Sequence, residues 1–488
     1  MDEKEKKVIW EKKDEVLQAD EFLHESVPRR LRRTTWSQIW VWVGFGFMVT
    51  GLHIGGSFGG AFGLSSLTPG AAIAASIIGM GILMWITCSL GIAAQRSGFN
   101  LALLATHAYG HRGRFLPMGI MAIMTFYWFA MMTGMMGDLW GPLIGNPSGV
   151  IAFDPADFGQ AWIPPIGFET LIACLIIGCI VVMNAWRGIN AIELVAKITS
   201  PIMFFAGFIV LFIHLSNAGG FGAFWGMAND LAGDMPFGTA ITIVVGSWIA
   251  GCIMGADLYR FNKNSRAVLI CGASCFLITN PVLHAVGYVG EVTIGNFNYF
   301  TWIFQFGGVF AFLAVITWTI SLWTTNNAEL YCHTIYTSSV IKAITGITAK
   351  RSKVLLTMGF LAAIAGSFGL YQMLYVNFLT ALGSIAPTVA GPIIADYYLC
   401  RKEKYKPKLI DKHPAFRSCG MISLIIGGAL AYIFQYHTGA PFGLPSGILA
   451  LLITMAIYVT LYKTVAPDRK IDDQILADAT EDELVDSI

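Results

Sequence analysis

Charge is scarce in this chain. Of its 488 residues, 12% are Asp, Glu, Lys or Arg, about half the 25% typical of a soluble globular domain. The 61 charges are also bunched: residues 1–33 hold 18 and residues 463–488 hold 11, leaving 32 for the 429 residues between. So few charges cannot solvate a surface of that size, which excludes a cytosolic enzyme or a secreted domain. The net charge of +1 excludes a nucleic-acid binder working through a strong positive field. Cysteine patterning is missing too. The nine cysteines form no CxxC or zinc spacing, and most (Cys88, Cys174, Cys179, Cys252, Cys271, Cys275) stand in apolar runs; neither a disulfide framework nor a metal site is indicated. The N-terminus lacks the apolar core and cleavage site of a signal peptide and reads, like the C-terminus, as a solvated cytoplasmic tail. What abounds is apolar residue, 55% of the chain, with mean hydropathy +0.63. This is the composition of a polytopic membrane protein.

A bilayer core takes about 20 apolar residues per helix. Twelve such runs fall near 37–64, 67–94, 115–137, 163–185, 189–215, 236–257, 266–290, 301–329, 353–373, 375–400, 417–436 and 442–462. Cytoplasmic loops hold an excess of Lys and Arg. With the N-terminus inside, 30 of the 31 basic residues fall on the cytoplasmic side, and Lys197 is the exception. The opposite loops hold only acids: Asp138, Asp154, Asp157, Asp230, Asp234 and Glu291. The reading is an all-α integral membrane protein of twelve transmembrane helices in the plasma membrane, with both termini cytoplasmic. Its parts are an N-terminal tail (1–35), a first five-helix unit (36–215), a second (236–400), helices 11 and 12 (415–463) and a C-terminal tail (464–488).

A membrane helix is interrupted only where its freed backbone lines a cavity or ligand. Span 1 carries eight glycines between Gly44 and Gly63, and span 6 carries Gly246, Gly251 and Gly255. These are the first spans of the two five-helix units. Glycine-interrupted helices at corresponding positions point to an inverted-repeat transporter with its site at mid-membrane; the plainer alternative is close helix packing. In span 8, Ser321, Thr324 and Thr325 share one helical face by their i, i+3, i+4 spacing. With carbonyls from a broken span 1 they would make an oxygen cage suited to Na⁺. Back-bonding to carbonyls one turn earlier is the alternative. Span 3 contains Trp128 and span 6 contains Trp248 beside Ser247. Indoles facing a central cavity would suit a flat heteroaromatic ligand, since base–aromatic stacking contributes about 1–3 kcal/mol per base.

WTTNN at 323–327, ADLYRFNKN at 256–264, the Gly-Ser-Trp of 246–248 and APTVAGPIIADYY at 386–398 closely resemble the nucleobase–cation symporter-1 family of purine and cytosine permeases, the bacterial cytosine permease branch most of all. The resemblance covers spans 1 to 12 in order, including the VPRRLRR lead-in. It implies the leucine-transporter-type five-plus-five inverted repeat with two further helices, and movement of purines, pyrimidines or hydantoins with Na⁺ or H⁺. Carried over by residue, it implies Trp128 and Trp248 as the faces of a substrate sandwich. It places Na⁺ at span 1 backbone near Phe45 and Met48 with Ser321, Thr324 and Thr325, and makes Asn326 and Asn327 candidates for the ring edge. The chain departs from the pattern in span 3. Thr125 stands where cytosine permeases have Gln, and Met132 where other relatives do, so a strong amide partner for the base edge is missing there.

Lys197 sits about ten residues into span 5 with Glu193 one turn earlier. It either snorkels to the cytoplasmic vestibule or approaches the cation site and makes transport proton-coupled. His53, at the glycine-rich stretch of span 1, either reads the substrate or simply lines the pore. His107 and His111 have no third ligand nearby and make no metal site, while Asp257 and Asp396 read as partners of cytoplasmic Arg and Lys. The expected function is import of a nucleobase or related flat heterocycle by cation symport, through alternating access. A proton-coupled transporter of hydantoin, allantoin or hydroxymethylpyrimidine is the alternative. A membrane enzyme would need His, Asp or Cys clustered at mid-span, and none is present. No cofactor beyond the coupling Na⁺ or H⁺ is expected, and no partner beyond substrate, cation and bilayer.

Overall fold

The computed structural model describes Phe22 and residues 25–158, 165–186, 189–304, 306–369, 371–403, 405–464 and 468–480. Within them, the description stops at the backbone for residues 138, 189–200, 202, 203, 371–373, 375 and 442. Each of the twelve apolar runs contains helix. The first holds α1 (Thr35–Gly46) and α2 (Thr50–Gly59), the second α3 (Pro69–Ser97). A connecting helix, α4 (Leu101–Tyr109), leads to α5 (Phe115–Met135) and α6 (Gly137–Ile144). A two-stranded antiparallel hairpin, β1 (Ile151–Phe153) and β2 (Ile166–Gly167), precedes α7 (Phe168–Trp186), α8 (Ile189–Asn217) and α9 (Phe221–Asp230).

The second unit begins with α10 (Phe237–Tyr259) and α11 (Ser265–Ala273), which passes through a π-helical turn into α12 (Asn280–Ile294). Then come α13 (Tyr299–Phe304), α14 (Gly308–Thr345), α15 (Arg351–Ser367), α16 (Tyr371–Ile385) and α17 (Pro387–Ile394). The chain closes with α18 (Ser418–Ile433), α19 (Ser446–Thr464) and α20 (Asp468–Ala477). Among the described residues, nine helices are long and apolar enough to cross a membrane, and two bent pairs raise that number to eleven.

Packing partners cross between the two units. α2 lies on α12 and α10 lies on α3, so the first span meets the seventh and the sixth meets the second. The third span (α5) pairs with the eighth (α14), and the fourth (α7) with the ninth (α15). The first span also meets the fifth, through α1 and α8, as the sixth meets the tenth, through α10 and α16. α18 and α19 pack on each other and on α17.

Span 1 is bent by 43° between α1 and α2. Its glycines do a different job from the one expected. Gly51, Gly55 and Gly59 recur one turn apart, and a methyl on any of them would strike Leu283, the His284 carbonyl or Glu291. They form a small-residue stripe that seats α2 on α12, while the break falls at Phe47–Val49, where no glycine stands. Nor does the expected matching interruption of span 6 occur, since α10 runs continuously for 23 residues. Gly246 abuts the Leu379 carbonyl of α16, and Gly255 abuts Thr87 and Trp42; both permit close approach between helices.

Two further boundaries differ from expectation. Gly307 and Gly308, with φ of 65° and 51°, turn the chain between α13 and α14. The eighth span therefore starts at 308 rather than 301, and α14 continues to Thr345, well past 329. The C-terminal tail is not wholly solvated either. α20 docks through Asp472 against Arg401 and Arg417, and Asp468 accepts from the Cys419 amide at 2.8 Å.

Candidate functional site

The break in span 1 lies against α14. Ser321 donates its hydroxyl hydrogen to the Phe47 carbonyl at 3.3 Å, between the expected Phe45 and Met48. Thr324 and Thr325 both donate to the Ser321 carbonyl, at 2.9 Å and 3.4 Å. Back-bonding and clustering thus hold together: Thr324 and Thr325 spend their hydrogens within α14 and Ser321 spends its own on span 1, and the lone pairs of all three hydroxyls remain to accept or to face a cation. All three side chains are buried.

Phe45 connects this junction to the indoles. Its ring meets Trp248 edge to face, with centroids 5.0 Å apart, and Phe276 also packs T-shaped against Trp248 at 5.8 Å. On α5, Trp128 has the edge of Phe378 at 6.3 Å. Among the described residues the two indoles do not stack on each other, and neither Nε1 has a hydrogen-bond partner. Buried N–H groups left open in this way normally await a partner. Ser247 donates to the Val244 carbonyl at 2.7 Å and is held within its own helix.

Other expected edge-readers are already engaged. Thr125 donates to the Met121 carbonyl at 2.8 Å and lies 3.1 Å from His333 Nδ1, so it ties α5 to α14 instead of facing a ligand. Asn327 turns to α7: its amide nitrogen donates to the Val181 carbonyl (3.0 Å), and its oxygen accepts from Trp323 (3.1 Å) and Asn184 (2.7 Å). That residue locks α14 to α7, with both oxygen lone pairs and one of its two N–H groups engaged. Asn326 is half-used, since its nitrogen donates to the Phe129 carbonyl and Thr133 hydroxyl at 3.3 Å each while its oxygen has no partner.

His53 lies above the break. Its ring runs parallel to Phe62 at 5.9 Å, and it lines a cavity of about 650 Å³ with Phe62, Gly137, Asn146, Asn298 and Thr301. The structure therefore puts His53 in a vestibule on the side of the loops that lack Lys and Arg. Lys197 lies on α8, and its side chain, like that of Glu193, falls outside the described residues.

At the opposite end, Asp257 accepts from the Leu101 amide (2.8 Å) and the Tyr336 hydroxyl (2.6 Å), tying α10, α4 and α14 together. Its hydrogen-bond donors are thus an amide and a phenol, and the expected basic side chain, Arg260, lies close enough to act on its charge. Asp396 pairs directly with Arg401 at 2.9 Å, joined by the hydroxyls of Tyr405 and Tyr458. Burial opposes the charge on Arg401, but the Asp396 and Asp472 carboxylates hold its pKa above the ordinary range.

Two residues escaped the sequence reading. Phe378 could not be found there, because it reaches Trp128 from a distant helix. Glu329 could have been: it stands one turn beyond Thr325 in the WTTNNAELY run, an acid in the middle of a helix otherwise without charge from 308 to 341. It is 4% exposed, and its Oε2 has no hydrogen-bond partner.

A family model described as permease for cytosine/purines, uracil, thiamine and allantoin matches residues 27–413. The cytosine permease of Escherichia coli (strain K12) is 24% identical over 385 residues, covering 79% of this chain and 83% of that protein. The hydantoin permease of Microbacterium maritypicum is 27% identical over 373 residues, covering 72% and 69%. Among solved structures, Mhp1, a nucleobase-cation-symport-1 family transporter closed around bromovinylhydantoin, superposes with TM-score 0.71 at 18% identity, covering 94% of this chain and 97% of that one. A Na⁺-coupled sialic acid symporter superposes with TM-score 0.63 at 11% identity, covering 93% and 96%. At such identities the structural likeness carries the fold alone.

Proposed function

The chain belongs to the family of permeases for cytosine/purines, uracil, thiamine and allantoin, and from that premise we propose that it imports a nucleobase or related flat heterocycle by cation symport with alternating access. It is a membrane transporter of nucleobase type, not an enzyme. The observation that carries the finer reading is the junction of the broken first span with α14. There the Ser321 hydroxyl meets the Phe47 carbonyl, two residues from the Phe45 ring that touches Trp248. An ion held at this junction, by carbonyls near Phe45 and Met48 with Ser321, Thr324 and Thr325, would fix α1 against the bundle. Through Phe45 it would also fix the Trp248 ring. Cation and substrate would then favour one conformation together, which is the physical content of coupling. The ring itself would lie between Trp128 and Trp248, with Ser247 beside them.

The crossed packing supports a five-plus-five inverted repeat of twelve spans with two helices added. Exchange of first with seventh, and of sixth with second, is what two related units produce when each surrenders its first span to the other. One cation entering down a 100 mV potential supplies about 2.3 kcal/mol, or roughly fifty-fold accumulation. We place the protein in the plasma membrane with both termini cytoplasmic.

Counterflow of labelled cytosine, uracil, adenine, hypoxanthine, allantoin and hydroxymethylpyrimidine in proteoliposomes, with and without Na⁺, tests the reading. Na⁺-stimulated exchange of at least one ring is expected. Channel-like leak, or no exchange of any ring, overturns it.

A further inference from the structure

We infer that Glu329 reads the edge of the bound ring and selects rings that carry an exocyclic amine beside a ring N–H. The inference rests on the proposed function above and names the substrate class for that site.

Height comes first. α5 and α14 run side by side, and two contacts fix their register: Asn326 with Phe129 and Thr133, and His333 with Thr125. Glu329 lies midway between Asn326 and His333, and Trp128 lies between Thr125 and the Phe129–Thr133 pair. The carboxyl and the Trp128 indole are therefore level. On the other side, Tyr336 meets Asp257 near the end of α10. Seven residues of helix rise about 10 Å, which sets Glu329 level with Ala250–Gly251, next to Trp248.

Direction comes second. At about 100° per residue, Glu329 projects between His333, which points to α5, and Tyr336, which points to α10. It faces the cleft between the two helices that carry the indoles. Among the described residues, the other charged groups near this face are engaged. Asp257 is bonded to Tyr336 and the Leu101 amide, and Arg260 donates to the Tyr331 hydroxyl at 2.9 Å and the Phe22 carbonyl at 3.0 Å. Glu329 Oε2 and Asn326 Oδ1 are left without partners. Both are acceptors, three residues apart on one helix.

Chemistry comes third. A carboxylate only accepts, and its two oxygens suit two parallel N–H donors. A ring that offers N–H beside an amine, as guanine does, satisfies the carboxylate. An oxo group in place of that amine puts oxygen against oxygen and leaves both unpaired, which is where hydrogen-bonding sites discriminate most strongly. With Thr125 and Asn327 occupied, Glu329 takes the place of the amide missing from span 3.

Guanine and hypoxanthine differ only in the 2-amine and make the test. Full-length protein in detergent is titrated with each, in wild type and in Glu329→Gln. Wild type is expected to favour guanine roughly tenfold or more, and Glu329→Gln to bind both alike with hypoxanthine affinity kept. Equal binding by wild type, or a preference that survives in Glu329→Gln, overturns the inference while leaving the proposed function standing. Failure of wild type to bind guanine, hypoxanthine, cytosine, uracil or allantoin overturns both. Should Glu329→Gln lose monodispersity, Glu329→Asp serves. There the withdrawn carboxylate weakens guanine selectively, and an undiminished preference overturns the inference.

Discussion

Ser321 and Phe47 hold the bent first span against α14 by one hydrogen bond of 3.3 Å, hydroxyl to carbonyl. The contact joins a residue two positions before the WTTNN run to the break between α1 and α2. An ion bound here replaces that hydrogen bond with coordination by the same oxygens. Ser321→Ala and Thr325→Val are each expected to raise the Na⁺ concentration for half-maximal uptake roughly tenfold, the value of one lost oxygen partner at about 1.4 kcal/mol. Saturating Na⁺ should restore the rate. Na⁺ titration of uptake checks this. Uptake indifferent to Na⁺ in wild type, together with loss of transport in Lys197→Ala, would transfer the coupling to protons.

Trp248 packs T-shaped against both Phe45 and Phe276, contacts that hold the plane of its ring before any ligand arrives. Removing it forfeits a stacking face of about 1–3 kcal/mol. Trp248→Ala is expected to weaken binding of the transported ring by ten- to a hundredfold, while Trp248→Phe keeps part of the affinity. Trp128→Ala should behave like Trp248→Ala. Binding isotherms on monodisperse protein decide the matter, and unchanged affinity in both alanine variants would remove the sandwich.

The presence and order of helices were legible because apolar run length is a property of the chain itself: each of the twelve runs contains helix, and nine to eleven spans are long and apolar enough to cross a membrane among the described residues. The hydroxyl face of α14 was legible for a similar reason: i, i+3, i+4 spacing survives in any straight helix. What a helix faces was not. Thr125 and Asn327 look like free polar groups in sequence, yet His333 and Asn184 take them up from other helices. The glycines of span 6 suggested a break because glycine permits both bending and contact, and only the neighbouring Leu379 carbonyl and Trp42 ring tell which. Glu329 shows the reverse. Its isolation could be read in the sequence, but its height beside Trp128 needs the register of α5 on α14.

Tyr336 ties α14 to the C-terminal end of α10 through Asp257. Tyr336→Phe leaves one carboxylate oxygen buried without its donor, at about 1–3 kcal/mol. The expected result is a lower thermal midpoint and faster amide exchange at Leu101, whose N–H is held by the same carboxylate. Hydrogen exchange resolved by peptide reads both ends of the tie. Exchange at α4 indistinguishable from wild type would show that Asp257 does not hold these elements together.

Arg417 and Asp472 pair where solvent does not reach, with 0% and 6% of their side chains exposed, whereas Arg96 and Glu403 pair with 45% and 43% exposed. The two bridges look alike on a contact list and should differ widely in worth. Asp472→Asn leaves Arg417 buried with its charge uncompensated, a change of about 3–5 kcal/mol, and leaves Asp468 with the Cys419 amide as the remaining carboxylate tie of α20 to α18. Glu403→Gln removes a solvated partner at about 0–1 kcal/mol. Thermal unfolding of the two variants in one detergent should place Asp472→Asn well below wild type and Glu403→Gln close to it. Joint replacement of Arg417 and Asp472 by Met and Leu should recover part of the loss, because no charge is then stranded. If Asp472→Asn unfolds with wild type, the C-terminal helix is not anchored by this pair.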